Sequence, residues 1–308
     1  MSTVTDPAGP RTTPAPAGDP TPPARAGAAG LLRVTWRLHR PALIGVVLLP
    51  FAVVLLQLAY RWSIDPEYGF WFDCATGART DCPDFRNEDP YTGQTLVLYR
   101  LFQISALALT ALPAVIGALV AGPMIGREIE SGTHRLHWTQ SVAPASWLRA
   151  KLLVACAAAV LAVVPAGLLH RAAWLLQPGF NPRWYEWEVY PVIGPVPVAY
   201  ALFGVGLGAL TALALGRALP AVAATVGGWA LLLGALSVAR PWLWPAERVD
   251  PIDSCCVQVF PLSRRMPEDL LHPDAHLVPL QLVEAGIVLA LAALALLLSF
   301  RFLRRRHG

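Results

Sequence analysis

The stretch Gly126–Lys151, GREIESGTHRLHWTQSVAPASWLRAK, is a polar island between two long apolar runs. Leu101–Ile125 lies upstream and Leu152–Leu176 downstream. Each is long enough for a helix to cross a hydrocarbon core about 30 Å thick. The island therefore connects two membrane spans, and its polar side chains are where such a chain meets soluble molecules. Within it, Gly132 reads as a helix stop and Thr133 as the N-cap of a following turn. The expected layout is a helix end at Ser131, a short capped helix from Thr133 to Gln140, and a restart at Pro144 leading into the next span.

The same alternation runs along the chain. Of 308 residues, 55% are hydrophobic and 14% charged, against about 25% charged in a soluble domain. Six spans are expected: Pro41–Tyr60, Leu101–Ile125 with a kink at Pro113, Leu152–Leu176, Pro195–Leu215, Leu219–Ala239 and Pro279–Phe300. The fold class is an all-α polytopic membrane protein, with a six-span domain over residues 30–308. Residues 1–29 hold seven prolines, with Val4 as their large aliphatic, so they read as a disordered Pro/Ala-rich cytosolic tail. They make a poor signal peptide, because no small-residue cleavage site follows the first apolar run. Leu31–Arg40 reads as an amphipathic helix lying in the inner headgroup layer. Arg33, Arg37 and Arg40 form one stripe of it, and Leu31, Val34, Thr35 and Leu38 lie on the other side.

Charge sets the expected orientation. With a cytosolic N-terminus, the inner segments are 1–40, 126–151, Arg217 and 301–308. They hold 14 of the 24 basic residues and four acidic ones, Asp6, Asp19, Glu128 and Glu130. The outer loops, Arg61–Arg100, Gln177–Gly194 and Arg240–Val278, hold nine basic and fifteen acidic residues, the remaining basic residue being Arg171 near the outer end of the third span. The positive-inside rule then places both termini in the cytosol. The arginines are spread along the whole chain, so no nucleic-acid surface is expected. Cys74, Cys82, Cys255 and Cys256 fall in outer loops on the oxidising side. A Cys74–Cys82 bridge, a vicinal Cys255–Cys256 bridge, a cross-loop pair and free thiols are all compatible with the spacing.

A P-loop needs G-x-x-x-x-G-K-[ST] to hold phosphates. The single lysine, Lys151, follows Ala150 at the mouth of a span, so the chain has no such site of its own. Glu130, His134 and His137 fall at i, i+4 and i+7, a spacing that resembles a metal-ligand set. The Gly132-Thr133 break splits the helix that would align them, so a solvated or partner-facing surface is expected rather than a metal site. No catalytic set of nucleophile and base is apparent. Glu284 lies in the sixth span at a depth of about 7 Å from its outer end, where a snorkelling or cavity-facing carboxylate is expected. His170 and Arg171 read as boundary residues of the third span. Small residues are dense in the fourth and fifth spans, Gly204, Gly206 and Gly208, then Gly227, Gly228 and Gly234. Gly204-x-x-x-Gly208 permits close helix approach, expected as packing within the chain rather than a dimer seam.

The loop Gly126–Val142, with Trp147-Leu-Arg-Ala-Lys151 after it, resembles the loop between the second and third spans of type-2 ABC export permeases. It is most similar to a variant in high-GC Gram-positive bacteria, where R-E-x-E-x-G-T-H-R-L-x-W-T-Q-S-V recurs. Val196–Gly204, Arg217-Ala-Leu-Pro and Ala239-Arg-Pro-Trp resemble later segments of the same family. The likeness covers Leu31 to the C-terminus. It implies six spans, a lipid-embedded pair of permease chains, and separate cytosolic ATPase subunits that carry the ATP and magnesium. This chain itself then binds no cofactor. The resemblance also implies that the loop holds a coupling helix that docks on the ATPase. The coupling surface would be Arg127, Glu128, Glu130, Thr133, His134, Arg135, Trp138 and Gln140.

Two functional classes follow. The first is the permease subunit of an ATP-driven exporter in the cell membrane. The second is a membrane sensor, immunity or structural subunit that acts through its outer loops without transport; those loops are long for simple connections.

Overall fold

The computed structural model describes residues 28–63, 93–134, 142–176, 182–248, 260–261 and 270–307. Cys74, Cys82, Cys255, Cys256, Arg135, His137, Trp138, Gln140 and the tail up to residue 27 lie outside them. Six helical segments are long and apolar enough to cross a membrane. They are α1 (Ala28–Ser63), α2 (Gly93–Val115) continuing through a π-helical turn (Ile116–Ala121) into α3 (Gly122–Glu130), α4 (Pro144–Leu175), α5 (Val196–Leu215), α6 (Ala218–Ala239) and α7 (Leu277–His307). The helical expectation holds for this body. Between α6 and α7 the chain adds a small antiparallel sheet: β1 (Glu247–Arg248), β2 (Phe260–Pro261) and β3 (Leu270–His272), in the order β1-β3-β2.

Two boundaries differ from the sequence reading. The amphipathic segment Leu31–Arg40 is not a separate helix, because α1 runs through Pro41 and Pro50 without a break. At 1.5 Å per residue its 36 residues extend about 54 Å, well beyond a hydrocarbon core. Arg33, Arg37 and Arg40 are therefore exposed on the first turns of the spanning helix itself. The second irregularity follows Pro113, which lies inside α2. Proline removes a backbone donor, and three residues later the helix widens into the π turn, where Gly122 N–H bonds to the Gly117 carbonyl.

Helix α5 is the centre of the bundle. It packs against α2, the π turn, α3, α4, α6 and α7, and 67% of its apolar window is buried against 22% for α6 and 28% for α1. Small residues allow this. Gly204 and Gly208 meet the backbone of Pro113 and Gly117, while Gly206 faces Ala292 and Ala295 of α7. α1 packs mainly on α4 and secondarily on α2, and Leu43, Val46 and Val54 carry the core onto it. The α5–α6 reversal is made by Gly216, whose φ of 65° closes α5 with an N–H bond to Ala212 O.

Candidate functional site

The polar connection is built as the sequence suggests at both ends. α3 stops at Glu130, Gly132 takes φ 73°, and α4 starts with Pro144 in its first turn. Glu128, near the end of α3, turns toward α4. Its Oε1 accepts a hydrogen bond from Lys151 Nζ at 2.7 Å and its Oε2 one from Trp147 Nε1 at 2.9 Å. Lys151 also donates to the Met124 carbonyl, lies 5.1 Å from the Trp147 ring centroid, and is 4% exposed. An ammonium has three donors and no acceptor, so it bonds a carboxylate and a carbonyl together without needing an acceptor role.

The same connection reaches a second span. Glu130 Oε2 accepts the Ala218 backbone N–H at 3.0 Å, which is a first-turn donor of α6. His134 is buried and donates from Nδ1 to the Glu128 carbonyl at 2.9 Å, satisfying one of the open carbonyls at the end of α3. Of the residues expected to form the coupling surface, Arg127, Glu130 and Thr133 are exposed, whereas Glu128 and His134 turn inward. Glu130 and His134 therefore point to different partners and do not converge on one point. Sequence spacing missed the clasp because Glu128 and Lys151 are 23 positions apart. A lone lysine at a span mouth was the available signal.

The opposite end of the bundle carries a second ionic centre. Glu284 of α7 is fully buried and does not snorkel, which corrects the expectation. Arg240, just past the end of α6, donates from Nε to Oε2 at 2.8 Å and from Nη2 to Oε1 at 3.0 Å. Tyr200 of α5 donates its hydroxyl to Oε1. The Arg240 guanidinium lies 4.1 Å from the centroid of Tyr190. Gln281, one turn before Glu284, donates to the carbonyls of Tyr190 and Ile193 at 3.1 and 3.0 Å. His170 is likewise buried rather than at a boundary. Its Nε2–H meets the Glu188 carbonyl at 2.9 Å, its Nδ1 lies 3.0 Å from the Ser105 hydroxyl, and its ring stacks on Phe102. Ser105 in turn donates to Gln57 of α1 at 2.8 Å. Arg171 remains exposed, as expected.

In the small sheet, His272 Nε2–H donates to the Pro241 carbonyl at 3.0 Å, so its Nδ1 is left to accept from His276 Nδ1–H at 3.0 Å. Glu247 Oε1 lies 3.2 Å from His276 Nε2. Burial holds His272 below the ordinary histidine range, and the His276 charge acts in the same direction. Protonating His272 would oppose two N–H groups at 3.0 Å. A histidine whose folded pKa is lowered contributes stability above its unfolded pKa, and that stability is lost as pH falls through the folded value. Amide exchange at Leu270–His276, corrected for intrinsic rates, should therefore rise as pH drops from about 7 to about 5. An unchanged protection factor across that range would contradict this account.

The geometry defines a polytopic helical subunit with a clasped polar connection at one end of its spans and a buried ion pair at the other. Residues 42–240 match the family model described as ABC-2 membrane transporter related, and the chain belongs to that family. No curated protein and no solved structure matches the chain. The match is shorter than the likeness read from sequence and leaves out α7. Membership makes this a permease-type, multi-pass protein of the cell membrane and implies association with an ATPase subunit.

Proposed function

We propose that the chain is the membrane-spanning subunit of an ATP-driven exporter, energised by a separate ATPase that docks on Gly126–Lys151. ATP and magnesium bind on that partner, and two permease chains form the transport path. The arginine-rich first turns of α1 and the tail Arg301–Arg306 support cytosolic termini. The observation that carries the reading is the double attachment of the connection. Glu128 ties it to α4 through Lys151 and Trp147, and Glu130 ties it to α6 through Ala218. A push on the exposed Arg127, Glu130 and Thr133 is thereby delivered to two spans at once.

The direct test is purification from its native membrane in detergent, asking whether a P-loop ATPase comes with it. A stable complex whose ATP hydrolysis responds to added compounds supports the exporter. Failure to recover any ATPase favours the alternative, a non-transporting sensor, immunity or structural subunit. Within the complex, Glu128→Ala combined with Glu130→Ala should leave membrane insertion intact and lower transport about tenfold or more. Normal transport by the inserted double variant would remove this connection from the coupling path.

A further inference from the structure

One feature of the bundle belongs neither to the coupling connection nor to the buried ion pairs. α1 and α4 leave an open apolar groove of about 300 Å³ between them. It is lined by Trp36, Ile44, Val47 and Leu48 of α1, and by Ala157 and Leu161 of α4 among others. Arg33, Arg37 and Arg40 lie on the same stripe of α1, because 33, 36/37, 40, 43/44 and 47/48 recur at helical spacing. All three arginines are exposed, and none has an ion-pair partner among the described residues. The apolar lining spans Trp36 to Leu48, a rise of about 18 Å, close to one leaflet of a hydrocarbon core.

The geometry points to a binding site for one anionic phospholipid, its phosphate held by Arg33, Arg37 and Arg40 and an acyl chain laid in the α1–α4 groove. A guanidinium fork matches phosphate geometry. The apolar groove below accepts the chain without leaving a polar group unpaired. A zwitterionic lipid fills the groove equally well but gains less from three uncompensated positive charges. The arginines therefore select the headgroup, and the groove provides affinity for the chain. That the inner leaflet supplies the lipid rests on the orientation proposed above. The binding itself does not, because it can be read in detergent without the ATPase or transport.

The test uses the intact chain in detergent, with phosphatidylglycerol or phosphatidylcholine added, and counts lipids retained by native mass spectrometry. Wild type should retain phosphatidylglycerol about tenfold or more over phosphatidylcholine. Arg33→Gln with Arg37→Gln and Arg40→Gln should abolish the preference while keeping some of both lipids. Ala157→Trp, placed at an exposed groove position, should lower retention of both lipids with the arginines intact. Equal retention of the two lipids by wild type, or an unchanged preference in the triple variant, overturns the site. So does a lipid-free dimer that Ala157→Trp dissociates, since the groove would then hold a second copy of the chain.

Discussion

Glu284→Ala should lower the stability of the folded chain by about 3–5 kcal/mol, because it strands a buried arginine. Arg240 is buried and its Nε and Nη2 both bond the Glu284 carboxylate. Truncating the acid leaves that guanidinium without its acceptor and also removes the partner of the Tyr200 hydroxyl. The net worth of the intact pair is smaller than this loss, since its attraction is offset by the cost of taking both charges out of water. Arg240→Met combined with Glu284→Met should therefore recover at least half of what the single variant loses. Thermal unfolding in detergent measures both, with a drop for the single variant on the order of 10 °C. A double variant as unstable as Glu284→Ala would show that the damage comes from lost packing at α5, α6 and α7 rather than from an uncompensated charge.

Gly208→Ala should also be destabilising, for a steric reason. A Cβ at Gly208 would lie 2.2 Å from the Gly117 carbonyl oxygen, and one at Gly204 would lie 2.2 Å from that of Pro113. Both obstacles are backbone, so no rotamer change relieves them. The α5 crossing against α2 and the π turn must open, at a cost of about 1–3 kcal/mol or more. Gly117→Ala meets the same crossing from the other side, 2.3 Å from Gly204 O. Gly227 is the control, because nothing lies within 4 Å of a Cβ built there. Gly227→Ala should be neutral or stabilise by about 0.5–1 kcal/mol through helix propensity. Similar melting temperatures for Gly208→Ala and Gly227→Ala would mean that the α2–α5 crossing is looser than these distances imply.

These two variants also show where sequence reading reaches its limit. The density of glycine in the fourth and fifth spans was legible. The Gly204-x-x-x-Gly208 spacing marks a close approach that the structure contains, but what it meets, the backbone of Pro113 and Gly117, was not legible, nor was the open space at Gly227 and Gly234. Helical spacing names a face but not the element that covers it. Glu284 shows the same limit. Its place inside a span marked it as unusual, yet its partner Arg240 read as a loop residue 44 positions away.

Local chemistry decided much in advance. Six apolar runs of spanning length follow from composition along the chain, and the structure contains them. Gly132 and Pro144 punctuate the polar connection as their backbone preferences require. The absence of a P-loop follows from a single, misplaced lysine. Pairings across the bundle were decided only by the tertiary structure. The Glu128–Lys151–Trp147 clasp, the Glu130 cap on α6, the Arg240–Glu284 pair and the run of α1 through Pro41 all depend on which helices become neighbours. The physical reason is the same in each case. Apolar length and turn residues act within a few positions of the chain, whereas a buried charge can be satisfied by any element that packs against it. At Gly126–Lys151 this turns a surface of charges read from sequence into a clasp of two inward carboxylate bonds with three exposed side chains around it.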